Sequence, residues 1–111
     1  MNRLPISPAA SAVLRCLVAR SGSSRDRILL TDVKSVDWHS LTFTGERHQL
    51  QLRSTGPDAH QAVERMCDAL EDVEFSIPGV IVADIAVTAE PRRSIDGSVT
   101  LTIEALTVAA D

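Results

Sequence analysis

The run from Trp38 to Arg53, WHSLTFTGERHQLQLR, constrains the chain more than any other stretch. Apolar and polar residues alternate on both sides of Gly45-Glu46. Glycine at the first of two central residues is what a type II′ turn requires, so the run predicts a tight β-hairpin turning at Gly45-Glu46. That turn would set Phe43 opposite His48, Leu41 opposite Leu50 and His39 opposite Leu52. His39, Leu41, Phe43, His48, Leu50 and Leu52 would then share one side. Ser40, Thr42, Thr44, Arg47, Gln49, Gln51 and Arg53 would share the other. One covered face and one open face is the pattern of an antiparallel sheet with helices on one side.

The remaining segments supply those helices and further strands. Ser7-Pro8 gives a helix cap followed by proline at the first helical position, and Gly22 stands where a helix should stop. Between them Ala10, Val13, Leu14, Leu17 and Val18 form one apolar stripe at helical spacing. Arg27 to Val33 reads as an extra extended strand, and Asp32 to Asp37 as an irregular passage into the hairpin. Thr55-Gly56-Pro57-Asp58 opens a second helix, with Ala59, Ala62, Val63, Met66, Leu70 and Val73 as its buried stripe. After Pro78-Gly79, a turn or kink, the odd positions Ile81, Ala83, Ile85, Val87 and Ala89 predict the inward side of a third long strand. Pro91 to Gly97 reads as a polar loop. Val99, Leu101 and Ile103 begin the inward side of the last strand, with a bulge expected after Glu104, where the alternation shifts to Leu106 and Val108. The expected fold is α+β: a two-layer sandwich of about four mainly antiparallel strands with two helices on one face, in the order α-β-β-α-β-β.

At 111 residues the chain suits a single domain over residues 1–111. With two Phe, one Trp and no Tyr, aromatic platforms for stacking bases are nearly absent. The formal charge of −4 adds to the argument against nucleic-acid binding. The charge is unevenly divided. Residues 1–53 hold eight Lys/Arg against four Asp/Glu, a surplus of four positive charges; residues 54–111 hold three against eleven, a surplus of eight negative ones. Such a division suits solvated helix faces, and also association of opposite faces between subunits. The apolar run Ala9–Ala19 is interrupted by Arg15 and resembles neither a signal peptide nor a membrane span, so a cytoplasmic location and no membrane partner are expected.

No constellation of side chains points to catalysis, and neither a metal nor another cofactor is expected. His39 and His48, four ladder positions apart in the predicted register, would lie about 13 Å from each other at roughly 3.3 Å per residue, too far to share an ion. His60 and Glu64 are one helical turn apart and suit a surface contact. Cys16 and Cys67 read as buried free thiols. The five glycines are scattered singly, without the repeats of a phosphate-binding loop. Arg92-Arg93 in the last loop could hold an anion or an acidic partner.

Several segments together resemble the small phage tail-terminator (tail-completion) proteins and their gene transfer agent counterparts. They are the apolar helix ending near Arg20, ILLTDVKSVDW, TGERHQLQLR, PDAHQAVERMCDAL, and IPGVIVADIAV followed by DGSVTLTIEALTV. In those families a D-W … G-x-x-H-x-L-x-L run precedes an alanine-rich helix, and a D-G turn precedes the last strand. Asp37-Trp38, Gly45, His48, Leu50, Leu52 and Asp96-Gly97 stand in those places, and the likeness covers about residues 10–110. It implies a structural, non-enzymatic subunit that forms a hexameric ring on the end of the tail tube. The implied partners are its own copies, the tail-tube protein and the head connector, with no sequence-specific nucleic acid. Arg15, Arg20, Arg47 and Arg53 would meet Glu64, Asp68, Glu71 and Asp72 of a neighbour, with Arg92 and Arg93 also on the interaction surface. A small ferredoxin-like module that binds a ligand or dimerises for regulation is the other class with this element order. It would ordinarily bind through a glycine-bearing strand-to-helix loop, which Ser54-Thr55-Gly56-Pro57 offers only weakly.

Overall fold

The computed structural model describes residues 5–110. Its elements run α1 (Pro8–Ser21), β1 (Ile28–His39), β2 (Thr44–Ser54), α2 (Ala59–Cys67), β3 (Val80–Arg93) and β4 (Val99–Ala109), with single 3₁₀ turns at Arg25–Arg27 and Leu70–Asp72. The α+β class and the order α-β-β-α-β-β are as the sequence implies. The four strands form one antiparallel sheet in the order β1-β2-β4-β3. Because β2 and β3 both run antiparallel to β4, they are parallel to each other, so β2-α2-β3 is a crossover split by β4.

α1 begins and ends where its caps lie. Ser7 Oγ accepts from the Ala10 amide at 3.2 Å, Pro8 occupies the first turn, and Gly22 closes the helix in the left-handed region. Ala10, Val13 and Leu17 are buried, with Leu14 and Val18 packed beside them. α2 stops earlier than its apolar stripe suggests. Asp68 is extended and Ala69 takes a positive φ of 49°, yet Leu70 still reaches the core from the following 3₁₀ turn. Arg20 supplies the reason: its guanidinium donates to the carbonyls of Met66 and Asp68, which satisfies the end of α2 without another helical turn. Arg65 reciprocates, donating from Nε to the Ser21 carbonyl at the end of α1, 2.6 Å away.

The core lies between the helices and one face of the sheet. Leu50, Leu52, Ile85, Leu101 and Ile103 from the strands meet Val13, Leu17, Val63, Met66 and Leu70 from the helical side. Each such side chain contributes roughly 1.5–3 kcal/mol by leaving water. In β2 the predicted faces hold: His48, Leu50 and Leu52 point inward, while Gln49 and Gln51 are exposed.

The turn of the first hairpin is not where the glycine suggests. β1 is continuous to His39, which pairs with Thr44, so the chain reverses at Ser40–Phe43 and the extra strand expected before the hairpin is its first arm. The Ser40 amide donates to the Phe43 carbonyl at 2.8 Å, and Ser40 Oγ accepts from the Phe43 amide at 3.2 Å. A serine side chain thus shapes this turn. Leu41 and Phe43 consequently fall outside the core, 105% and 54% exposed. Gly45 sits within β2 opposite Val108, and its φ is not positive. A β-carbon on it would stand 1.9 Å from the Thr107 carbonyl oxygen, so close approach of β4, rather than a left-handed turn, is what requires glycine.

Bulges occur in β3 instead of β4. β4 alternates without a break from Val99 to Thr107, and its register with β2 is continuous. Ala105 and Thr107 continue its inward side, so no bulge follows Glu104. In β3 the register with β4 slips between Val82 and Asp84, between Val87 and Ala89, and between Ala89 and Arg92. The first slip turns Val82 toward the core and Ile81 and Ala83 away from it, and the second turns Ala89 outward, overturning the expected inward Ile81, Ala83 and Ala89, while Ile85 stays buried. β3 also extends to Arg93, so Pro91–Arg93 belong to a strand and only Ser94–Gly97 form the turn.

Candidate interaction surfaces

Among the described residues, no helix covers the face of the sheet opposite α1 and α2. Across it, the row Val36-Arg47-Leu106-Asp84 lies beside the row Trp38-Gly45-Val108-Ile81. Val36 and Ile81, at opposite ends of these rows, are 56% and 52% exposed. Further along, Lys34, Gln49 and Glu104 share one row and Asp32, Gln51 and Thr102 another, so charges of both signs are interspersed across this face.

The ten residues suggested for an interaction surface do not form one patch. Arg15 is exposed on α1, bonded to Ser11 one turn away at 3.1 Å. Arg20 is committed to the end of α2, and its neighbour Cys67 is a half-buried thiol whose pKa is pushed up by burial, against a smaller opposite pull from Arg20. Arg47 stands on the open sheet face. Arg53 also lies on that face but is tied to the β3–β4 turn, with its terminal nitrogen 2.6 Å from Asp96 Oδ2 and its Nε 3.1 Å from Ser98 Oγ. Hydrogen bonds from the Ser98 hydroxyl and amide, with Arg53 adding to them, hold the Asp96 carboxyl below its usual range. Glu64, Asp68, Glu71 and Asp72 are exposed on α2 and the segment after it. Arg92 and Arg93 extend the edge strand β3 rather than cap a loop.

One buried polar site was not legible in the sequence. His48 is 1% exposed; its Nδ1 lies 2.7 Å from Ser35 Oγ and its Nε2 2.8 Å from Thr107 Oγ1. Burial pushes the imidazole pKa below 6.5, and Glu46 opposes that more weakly. The two hydroxyls come from β1 and β4, on either side of β2, so the histidine pins three strands together. Only the register Ser35↔His48↔Ala105, unavailable until the true turn is known, brings them within reach.

At the other candidate sites, polar groups are already engaged within the chain. His60 Nε2 is 2.6 Å from Glu64 Oε1, the one-turn contact its spacing suggests. At the start of α2, a β-carbon on Gly56 would stand 1.7 Å from an Arg27 guanidinium nitrogen, and the Thr55 amide and hydroxyl both donate to the Arg27 carbonyl. The exposed Arg27 guanidinium therefore lies over the strand-to-helix loop. A depression of about 410 Å³ lies between this loop and the β3–β4 turn, but its His60 and Asp96 are already paired. Among the described residues no three His, Cys, Asp or Glu side chains are placed to hold a metal ion, and no helix is long and apolar enough to cross a membrane.

The fold and these surfaces define a small α+β domain with an open antiparallel sheet. Comparison with family models, curated proteins and solved structures finds no match to this chain.

Proposed function

We propose that this chain is a structural ring subunit of the tail-terminator kind, which caps a phage-like tail tube and joins it to the head connector. The observation that carries the reading is the pair of edges. Among the described residues the sheet ends in two long edge strands, β1 and β3, each paired on one side only, whose sequences and bulges differ. A ring needs two different surfaces on each subunit so that the contact repeats head to tail. Because β1 runs antiparallel to β3, a copy displaced sideways would meet its neighbour in antiparallel fashion and continue the sheet. The exposed acids Glu64, Asp68, Glu71 and Asp72 and the exposed Arg15 and Arg47 supply charge for contacts with tube and connector. Arg20 and Arg53 are reassigned to holding the subunit together.

Deleting the gene in a particle-producing host tests the assignment. Tails of uncontrolled length, or tails detached from heads, are the expected result in electron micrographs; normal particles in its absence would remove it.

A ferredoxin-like regulatory module is the second reading, favoured by the split crossover β2-α2-β3. A ligand at the Ser54–Pro57 loop would meet the exposed Arg27 guanidinium, which lies over Gly56. A dimer joined through sheet faces, with no larger assembly in solution or on particles, would select it.

A further inference from the structure

We infer that successive copies of this chain join edge to edge, β1 of one pairing antiparallel with β3 of the next, with Val36 against Ile81 and Lys34 against Asp84. The inference rests on the ring reading for its closure, but the pairing is argued from the two edges alone.

On the open face each edge strand carries an exposed apolar side chain with an exposed charge at the neighbouring same-face position. On β1 they are Val36 and Lys34; on β3 they are Ile81 and Asp84. Lys34 and Val36 share a face because strand side chains alternate. Ile81 and Asp84, three apart, share it because the slip between Val82 and Asp84 inserts Ala83. The two motifs therefore present the same spacing. With the strands antiparallel, stepping back from Val36 to Lys34 corresponds to stepping forward from Ile81 to Asp84. Placing the two valine and isoleucine side chains together thus brings lysine opposite aspartate. The same register sets Val33 opposite Ile85 on the helix side, which extends the core across the junction. Pairing β1 with a second β1 lacks this match: aligning Val36 with itself leaves Lys34 without an acidic partner on its face.

The register also carries a stagger. Within one subunit Val36 lies in the row of Asp84, and Ile81 lies one row over. Joining Val36 to Ile81 displaces each copy by one same-face row relative to the last. Closure of a sheet into a ring requires such a repeated displacement, and a whole-row step keeps every side chain on its own face.

Disulfide trapping tests the pairing. Within one chain positions 36 and 81 lie three strand spacings apart, about 14 Å at roughly 4.8 Å each, beyond the reach of a disulfide. In the full chain carrying both Val36→Cys and Ile81→Cys, mild oxidation should give a ladder of species beyond the dimer. Peptide mapping should find position 36 of one copy linked to position 81 of the next. Each single substitution, and the unmodified chain with Cys16 and Cys67, should give no ladder mapped to these edges. Links of 36 to 36 or 81 to 81 alone, or no ladder at the highest concentration the chain tolerates, would overturn the inference. Charge reversal gives a second measurement in variants that keep Val36 and Ile81. Lys34→Asp and Asp84→Lys should each lower self-association by at least about tenfold, and the doubly reversed chain should recover it. Loss in both singles without recovery in the double would count against the pairing. Particle morphology after gene deletion reports on the terminator role separately, so either idea can fail while the other stands.

Discussion

Arg20 and Arg65 close the C-terminal ends of each other's helices. Arg20, near the end of α1, donates to Met66 and Asp68 carbonyls, and Arg65, near the end of α2, donates to the Ser21 carbonyl. A cation at a helix C-terminus is favoured by the dipole, and carbonyls otherwise left to water gain charged donors. Arg20→Ala should therefore destabilise the domain by about 1–2 kcal/mol, the value for hydrogen bonds to a charged group after allowing for its partial exposure. Arg20→Lys should recover only part of it, since an ammonium cannot span both carbonyls with a planar fork. Urea denaturation midpoints measure both, and an unchanged midpoint in Arg20→Ala would show that the contact is not formed in solution.

Gly45 is required by a neighbouring strand. Gly45→Ala should cost at least about 1–3 kcal/mol, because β2 and β4 must separate to admit the methyl group. Calorimetry on this variant checks it; an unchanged melting temperature would show that β4 does not approach Gly45 this closely.

Leu41 and Leu50 should behave oppositely. Leu41 stands in the solvent at the tip, so Leu41→Ser should change stability by no more than about 0.5 kcal/mol. Leu50 is fully buried, and Leu50→Ala should cost about 2–5 kcal/mol. Equal losses at the two positions would contradict the observed register.

His48 makes stability depend on pH in a defined direction. Its folded-state pKa lies below 6.5, so in the interval beneath that value the unfolded chain binds the proton more readily than the folded one. Stability contributed by the neutral imidazole is complete above about pH 6.5 and declines as the pH falls toward the folded-state value. His48→Gln should flatten this part of the profile of melting temperature against pH. Direct titration by NMR should place the His48 imidazole below 6.5, and a value above it would refute the assignment.

Asp96 acts at lower pH. Its carboxyl is held below 3.8 by Ser98 and Arg53, so its contribution is present above that value and is lost as the pH falls through the folded-state pKa. Asp96→Asn should lower the melting temperature at neutral pH, and the difference from the parent chain should shrink on acidification. A difference constant down to the acid transition would exclude this carboxylate as its source.

Both helix starts, the α-β-β-α-β-β order and the inward face of β2 were legible in the sequence because each follows from local chemistry. Ser7, Pro8 and Gly22 act on their own helix, and the alternation of His48, Leu50 and Leu52 requires only the pleat of one strand. The interaction residues were legible only as charges: sequence shows that Arg20 and Arg53 are cationic, but not that they are already engaged by Met66, Asp68 and Asp96.

What the sequence alone determined is therefore the set of elements and the class of sheet they make, since caps, turns and periodicity depend on neighbours a few residues away. Tertiary structure decided the position of the hairpin turn, the bulges of β3 and the Ser35 and Thr107 hydroxyls that partner His48. A glycine suits both a type II′ turn and close contact with another strand, and only the approach of Thr107, 62 positions along the chain from Gly45, selects between them. Likewise, Val82 and Ile81 are equally apolar; which one faces the core is set by the register of β3 on β4, a long-range pairing that no local pattern encodes.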